Sequence, residues 1–212
     1  MTLTWQKTRT GLSWSEGNGD STHVALPFVK KSELNRDSLI AMLNRHSTDA
    51  EEERAFIPRF LHLLDHPHAF LRTHLPGHIT GSAWIVDASK EFVLLTHHAK
   101  LNKWLQPGGH ADGDENVLNV AQREAREETG LVELLLVKNE IFDIDIHTIP
   151  LRKDFPEHLH YDIRFIFQAP TNKPLLLTDE SHALAWVRVN DLPKLTQNNL
   201  SMLRMAQKAK LF

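Results

Sequence analysis

The chain has 212 residues, 41% of them apolar and 24% charged, enough for one good-sized core and typical of an ordinary globular protein. A net charge of −3 gives no bulk electrostatic reason to bind nucleic acid, and it leaves open how charge is distributed locally. The absence of cysteine excludes disulfides, thiolate zinc sites and cysteine nucleophiles, while fourteen histidines stand out.

Residues 1–31 are polar and glycine-bearing at first, with no apolar leader segment expected. No run reaches the roughly 18 apolar residues of a membrane span, so the reading is a cytosolic protein without a membrane partner. Asp37 is expected to cap a helix carrying Leu39, Ile40 and Leu43. Thr48 and Glu51 match a capping box for a second helix, with Phe56, Phe60, Leu63 and Leu64 on one stripe and Pro58 expected to kink it. "ITGSAWIVD" and "EFVLLTH" read as two strands joined by a turn near residues 88–90. Trp104 opens a short extended piece that runs into Pro107, Gly108 and Gly109. Residues 115–129 read as a helix closed by Gly130 in a left-handed cap. "VELLLV", "IFDIDIHTI", "HLHYDIRFIF" and "HALAWVRV" are four further strands, and a helix near 197–208 ends the chain. The expected architecture is an α/β/α sandwich around a mixed sheet spanning residues 76–212, with a mainly helical extension, residues 1–75, packed on the same core.

The helix of residues 115–129 poses a chemical question. At about 100° per residue, Val117, Leu118, Ala121 and Ala125 share one core-facing sector, and Glu124, Glu127 and Glu128 occupy the neighbouring one. Like charges about 5.5 Å apart repel by roughly 3 kcal/mol per pair at an effective dielectric near 20. Protonation or a bound cation relieves this, and oxygen-only ligands suit Mg²⁺ or Mn²⁺. The bland alternative is a surface helix rich in glutamate and arginine.

Gly109, five residues, Glu115, seven residues, then Arg123-Glu124-Ala125-Arg126-Glu127-Glu128-Thr129-Gly130-Leu131 resembles the Nudix hydrolase signature. Its one soft departure is Ala125, where the family favours a bulkier aliphatic residue. The resemblance implies hydrolysis of a phosphoanhydride in a substrate built on a nucleoside diphosphate, with Mg²⁺ or Mn²⁺ as cofactor. It further implies that Glu124, Glu127 and Glu128 are metal ligands, with Glu124 also eligible as general base. Glu115 would be a further ligand, Arg123 would position the glutamates, and the Gly109 backbone would lie near the metal. A base or last ligand from outside the box is open among Asp179, Glu180, Asp154 and Glu157. Isopentenyl diphosphate isomerases share the fold, but the familiar ones rely on a cysteine that this chain lacks. A non-catalytic nucleotide sensor is the alternative to an enzyme. The marker residues of the ADP-ribose, dinucleoside polyphosphate and NADH subfamilies are absent from their usual places (His147 stands where the first expects proline), so the substrate stays unassigned, as does homodimer formation.

The histidines fall on alternating strands. Asp143, Asp145 and His147 face one way in the first, and His158, His160, Asp162 and Arg164 in the second, separated by an eight-residue loop. Paired antiparallel, the two strands would merge these faces into either a substrate-gripping wall or second metal site, or simply a solvated sheet surface. His110, directly after Gly109, is expected at the substrate, as is Arg152. Trp104 is expected either to stack on a base or to sit in the core. His97 and His98 border the site, and Pro67 argues against a zinc pair at His62 and His66.

Overall fold

The computed structural model describes residues 34–152 and 155–212. The reading of residues 1–31, and Asp154, fall outside them. Five helices, α1 (Arg36–Arg45), α2 (Glu51–Leu64), α3 (Val117–Thr129), α4 (Leu192–Leu195) and α5 (Leu200–Ala209), surround eight strands. These are β1 (Gly77–Val86), β2 (Phe92–His98), β3 (Lys103–Leu105), β4 (Gly108–His110), β5 (Leu135–Leu136), β6 (Asp143–Ile149), β7 (His158–Gln168) and β8 (Ser181–Arg188).

The sheet is mixed, as expected. β1 runs parallel to β7 over its whole length, from Gly77 opposite Leu159 to Val86 opposite Gln168. The opposite edge of β1 is divided: Thr80, Gly81 and Ser82 pair with β4, and its last two residues with β2. β7 is divided in the same way between β6 and β5. Every residue of β1 is buried, so this central strand lacks the in–out alternation of a one-faced strand.

One face of the sheet packs on α3, α1 and α2, with Phe60, Ile79, Leu118, Ala121 and Phe165 in a common core. The other face packs on α5 through Trp84, Phe142, Ile166, Met202 and Met205. Gly81 sets the depth of α3, because a Cβ there would stand 2.9 Å from the Val117 carbonyl oxygen. Burying Phe60 completely, edge-on to Tyr161, contributes about 1.5–3 kcal/mol.

Several boundaries differ from the sequence reading, each for a local reason. α1 is capped by Asn35, whose side chain and that of Ser38 exchange bonds with each other's backbone, so Asp37 lies inside the first turn instead of capping it. α2 has no side-chain cap: Thr48 donates to the buried carboxylate of Glu53 and takes a bond from Ala50 N–H, leaving no capping box with Glu51. α3 starts at Val117 because Asn116 caps it, accepting from Asn119 N–H at 3.1 Å. It ends on Gly130 with φ +74°, the left-handed cap expected. β5 shrinks to two residues, since only Leu135 and Leu136 find partners on β7. α5 begins three residues late: Gln197 and Asn198 have positive φ and Asn199 supplies the cap.

A buried ionic network fastens α2 and α5 to the sheet. Glu53 on α2 accepts from Lys208 of α5 at 2.7 Å and from Ile144 N–H of β6 at 3.2 Å. Burial pushes its carboxyl upward, but bonds from His46, Lys208 and Thr48 outweigh that and hold it at about 2.

Candidate active site

α3 presents its carboxylates to a cleft of about 870 Å³ walled by β4, β6 and β7. Glu124, Glu127 and Glu128 all line it, as do Gly109 and His110. The cause is helical periodicity: the apolar sector is fully buried and the adjacent sector falls at the cleft's edge. Glu128 is buried, Glu124 nearly so, and Glu127 is exposed.

The electrostatics follow from that placement. Glu128 accepts from Gly108 N–H at 2.8 Å. Desolvation, reinforced by Glu124, Glu180 and Glu127, still pushes its carboxyl up to about 8. Glu124 is raised too, by burial and by Glu127, against the opposing pull of Arg123. Arg123 pairs with Glu124 at 2.7 Å and Glu127 at 3.4 Å, and donates to the His110 carbonyl at 3.0 Å. It therefore ties α3 to β4.

Gly109 lies close against the Glu124 carboxyl. A Cβ there would lie 2.5 Å from the Glu124 carboxyl carbon. Gly109→Ala is accordingly expected to displace Glu124 and cut Mn²⁺ affinity by about 10–100-fold while leaving the circular dichroism spectrum unchanged. Titration with Mn²⁺ followed by electron paramagnetic resonance checks this, and an unaltered affinity would remove Gly109 from the site.

The β6–β7 pairing occurs in the antiparallel sense expected, with Asp143 opposite Arg164, Asp145 opposite Asp162 and His147 opposite His160. Asp145, His147, His158, His160, Asp162 and Arg164 line the same cleft as the glutamates, which excludes a plain solvated face. Arg164 and Asp162, however, are engaged by protein. Arg164 is buried and contacts Asp162 at 2.8 Å, Asp143 at 3.0 Å, Asp145 at 3.1 Å and Ser201. Asp162 also accepts from Thr80, Ser82 and Gln106. Burial works against the Arg164 charge, but the three aspartates raise it above the ordinary arginine range. Asp145 is correspondingly held below the usual carboxylate range by Arg164, despite its burial.

Among the remaining residues, Glu180 and Arg152 line the cleft, whereas Asp179, Glu157 and Trp104 do not. The Glu180 carbonyl accepts from Ala99 N–H at 2.8 Å, which fixes that residue where β2 ends and β8 begins. Trp104 stacks on His97 at 5.0 Å between ring centres and packs against the second core. Glu115 is drawn away: Arg36 of α1 holds it through its backbone N–H at 3.2 Å and its Nε at 3.1 Å, while the other guanidinium nitrogens donate to the carbonyls of Leu64, His66 and Pro67 at the end of α2 and just beyond it. The sequence reading missed His78, Arg72, Lys100 and Lys103. The last three line the cleft from loops and a short strand without a motif to flag them, and His78 meets its neighbours only through strand pairing.

Four imidazoles gather at the β4–β7 end. Desolvation chiefly, together with Arg72 and neighbouring histidines, brings His110 down to about 4. The same cause, with His147 and three other rings, brings His160 to about 2, and burial lowers His78.

The model of the NUDIX domain matches residues 77–208, more than half of the chain, and the chain belongs to that family. With its box complete it is a Nudix pyrophosphohydrolase. Among curated proteins it is 31% identical over 111 residues to the asymmetrical bis(5'-nucleosyl)-tetraphosphatase of Mus musculus, covering 52% of this chain and 73% of that one. The same enzyme of Rattus norvegicus is 29% identical over 107 residues, covering 50% and 70%. The fold is shared with a C. elegans Ap4A hydrolase binary complex at a TM-score of 0.51 and 16% identity, over 63% of this chain and 96% of that one.

Proposed function

We propose that the chain is a Mg²⁺- or Mn²⁺-dependent hydrolase that cleaves a phosphoanhydride bond of a dinucleoside polyphosphate by attack of water on phosphorus. The observation that carries this reading is the convergence of Glu124, Glu127 and Glu128 on one cleft, two of them too buried to ionise freely. The donor set fits a hard divalent ion: it is all oxygen, and the ion would neutralise the glutamate charge that adds to burial in raising Glu128. Bound there, such an ion would neutralise phosphate oxygens and lower the pKa of a water.

The protein's own groups account for the rest. Arg123 orients Glu124 and Glu127. Lys100, Lys103 and Arg152 on the cleft wall supply positive charge for a polyphosphate chain, while Arg72 beside them is paired with Asp112. Glu180, across the cleft from the helix, accepts the proton of the attacking water as its oxygen bonds to phosphorus and the bridging P–O bond breaks. The cleft's volume lies within the roughly 300–1,000 Å³ usual for small-molecule sites. The choice of a dinucleoside polyphosphate follows the names of the curated relatives. In this reading residues 34–75 are an addition that packs on the Nudix core, with Arg36 and Glu53 as its fasteners.

A panel of diadenosine tetraphosphate, nucleoside triphosphates, nucleotide sugars, ADP-ribose, dinucleotides and coenzyme A, assayed with Mg²⁺ and with Mn²⁺ in ¹⁸O-water, tests the proposal. Asymmetric cleavage of the tetraphosphate with one label per turnover is expected. Nucleotide binding without hydrolysis of any member would instead leave a nucleotide sensor.

A further inference from the structure

The four-histidine cluster is not explained by phosphoanhydride hydrolysis. His78 on β1, His110 on β4, and His158 and His160 on β7 each offer a ring nitrogen, and these four atoms all lie within 4.8 Å of one another. The fold builds the group from three strands. His78 is registered opposite His160, His110 lies opposite Thr80 two residues further along β1, and His158 shares a face with His160 by strand alternation.

Two hydrogen bonds fix the tautomers of His78 and His158. His158 Nδ1 lies 2.8 Å from the Pro156 carbonyl oxygen, and His78 Nδ1 lies 3.2 Å from that of His74. A carbonyl only accepts, so each Nδ1 carries the hydrogen and each Nε2 keeps its lone pair. An imidazole steadied by a carbonyl at one nitrogen, with the other bare, is the usual state of a metal-ligating histidine. His78 is wholly buried and its Nε2 has no hydrogen-bond partner among the described residues, a costly state for a polar atom unless something else binds it. His158 Nε2 accepts a hydrogen bond from His160 Nε2 at 3.3 Å, a contact that a metal would replace as His160 gives up that proton, and the separation is close to the roughly 3.4 Å edge of a tetrahedron with metal–nitrogen bonds of about 2.0–2.1 Å.

We infer that His78, His110, His158 and His160 form a second cation site, specific for a nitrogen-preferring transition ion of the zinc class and distinct from the carboxylate site on α3. Neutral imidazoles suit Zn²⁺, Co²⁺, Ni²⁺ or Cu²⁺, whereas Mg²⁺ demands oxygen ligands. Three of the four residues line the cleft, so this ion adjoins the substrate space and ties β4, which carries Gly109, to β1 and β7. The inference stands whether or not the hydrolase reading does, because it concerns binding alone.

The test uses the full chain, free of any affinity tag, stripped of metal and titrated with ZnCl₂ in excess Mg²⁺. One equivalent of zinc is expected to bind, with an X-ray absorption spectrum of four imidazole nitrogens. A His158→Ala, His160→Ala variant is expected to bind it at least 100-fold more weakly, and Glu127→Gln as tightly as wild type. Absence of stoichiometric uptake by wild type, a first shell dominated by oxygen, or loss of zinc in Glu127→Gln would each overturn the assignment. The spectrum of wild type decides the matter even if the double variant does not fold.

Discussion

Glu128→Gln is expected to lower the rate of substrate hydrolysis at least about 100-fold while preserving the fold, because glutamine keeps the shape but cannot carry the charge that a metal needs. The same substitution has a signature in pH. In the metal-free chain the Glu128 carboxyl is pushed to about 8, so at neutral pH it holds a proton that an incoming ion must displace. Wild-type Mn²⁺ affinity should therefore climb, at most tenfold per unit, as pH rises towards 8, and flatten above it. Calorimetry in buffers of different ionisation enthalpy would show close to one proton released per ion at pH 7. The Glu128→Gln substitution should abolish that release. Stability moves the opposite way. Between the ordinary glutamate value near 4.3 and about 8, the folded metal-free chain binds more protons than the unfolded one, so this group's contribution falls as pH rises. Metal-free Glu128→Gln should then melt above metal-free wild type at pH 8. Identical proton release in both proteins would show that Glu128 is not a ligand.

Arg164→Leu should cost about 3–5 kcal/mol in urea denaturation, among the largest losses available to one substitution in this chain. Arg164 is buried and is the shared partner of Asp143, Asp145 and Asp162. Removing it leaves carboxylates without full compensation, since Arg204 and Lys208 reach Asp143 but neither contacts Asp162 among the described ion pairs. The acid side reports on the same network. Asp145 and Glu53 are both lowered, Glu53 to about 2, so their contribution is complete above the unfolded carboxylate values near 4 and is lost as pH falls below them. Wild type should lose stability steeply between about pH 4 and 2. Arg164→Leu should show a shallower decline, because Asp145 then no longer titrates far below its unfolded value. A loss under about 1 kcal/mol would mean that the aspartates are solvated or protonated instead of paired.

Legibility differed between elements for physical reasons. α3 was readable almost residue by residue, since its buried sector, its carboxylate sector and the Gly130 cap all follow from positions within one helix. The β6–β7 pairing was readable because two alternating segments lie close in sequence. Helix starts were less so. Asn35 took the role read for Asp37, and Thr48 was recruited by Glu53, a side chain whose burial depends on β6 and α5.

The site divides along the same line. Helical spacing put Glu124, Glu127 and Glu128 in one sector beside the core, whereas Arg123 and Gly109 were singled out by the resemblance to the Nudix signature; one helix and the strand just before it hold all five. Glu115 was named as a further ligand by the resemblance, yet Arg36, 79 residues away, turns it aside. His78 gave no local signal at all. It meets His110 and His158 only because β1 accepts β4 on one edge and β7 on the other. Helical periodicity is a property of consecutive residues and is therefore written in the sequence. Which long-range partner neutralises a buried charge, or which strands bring four imidazoles together, depends on pairings that no local pattern encodes, and those were decided by the tertiary fold.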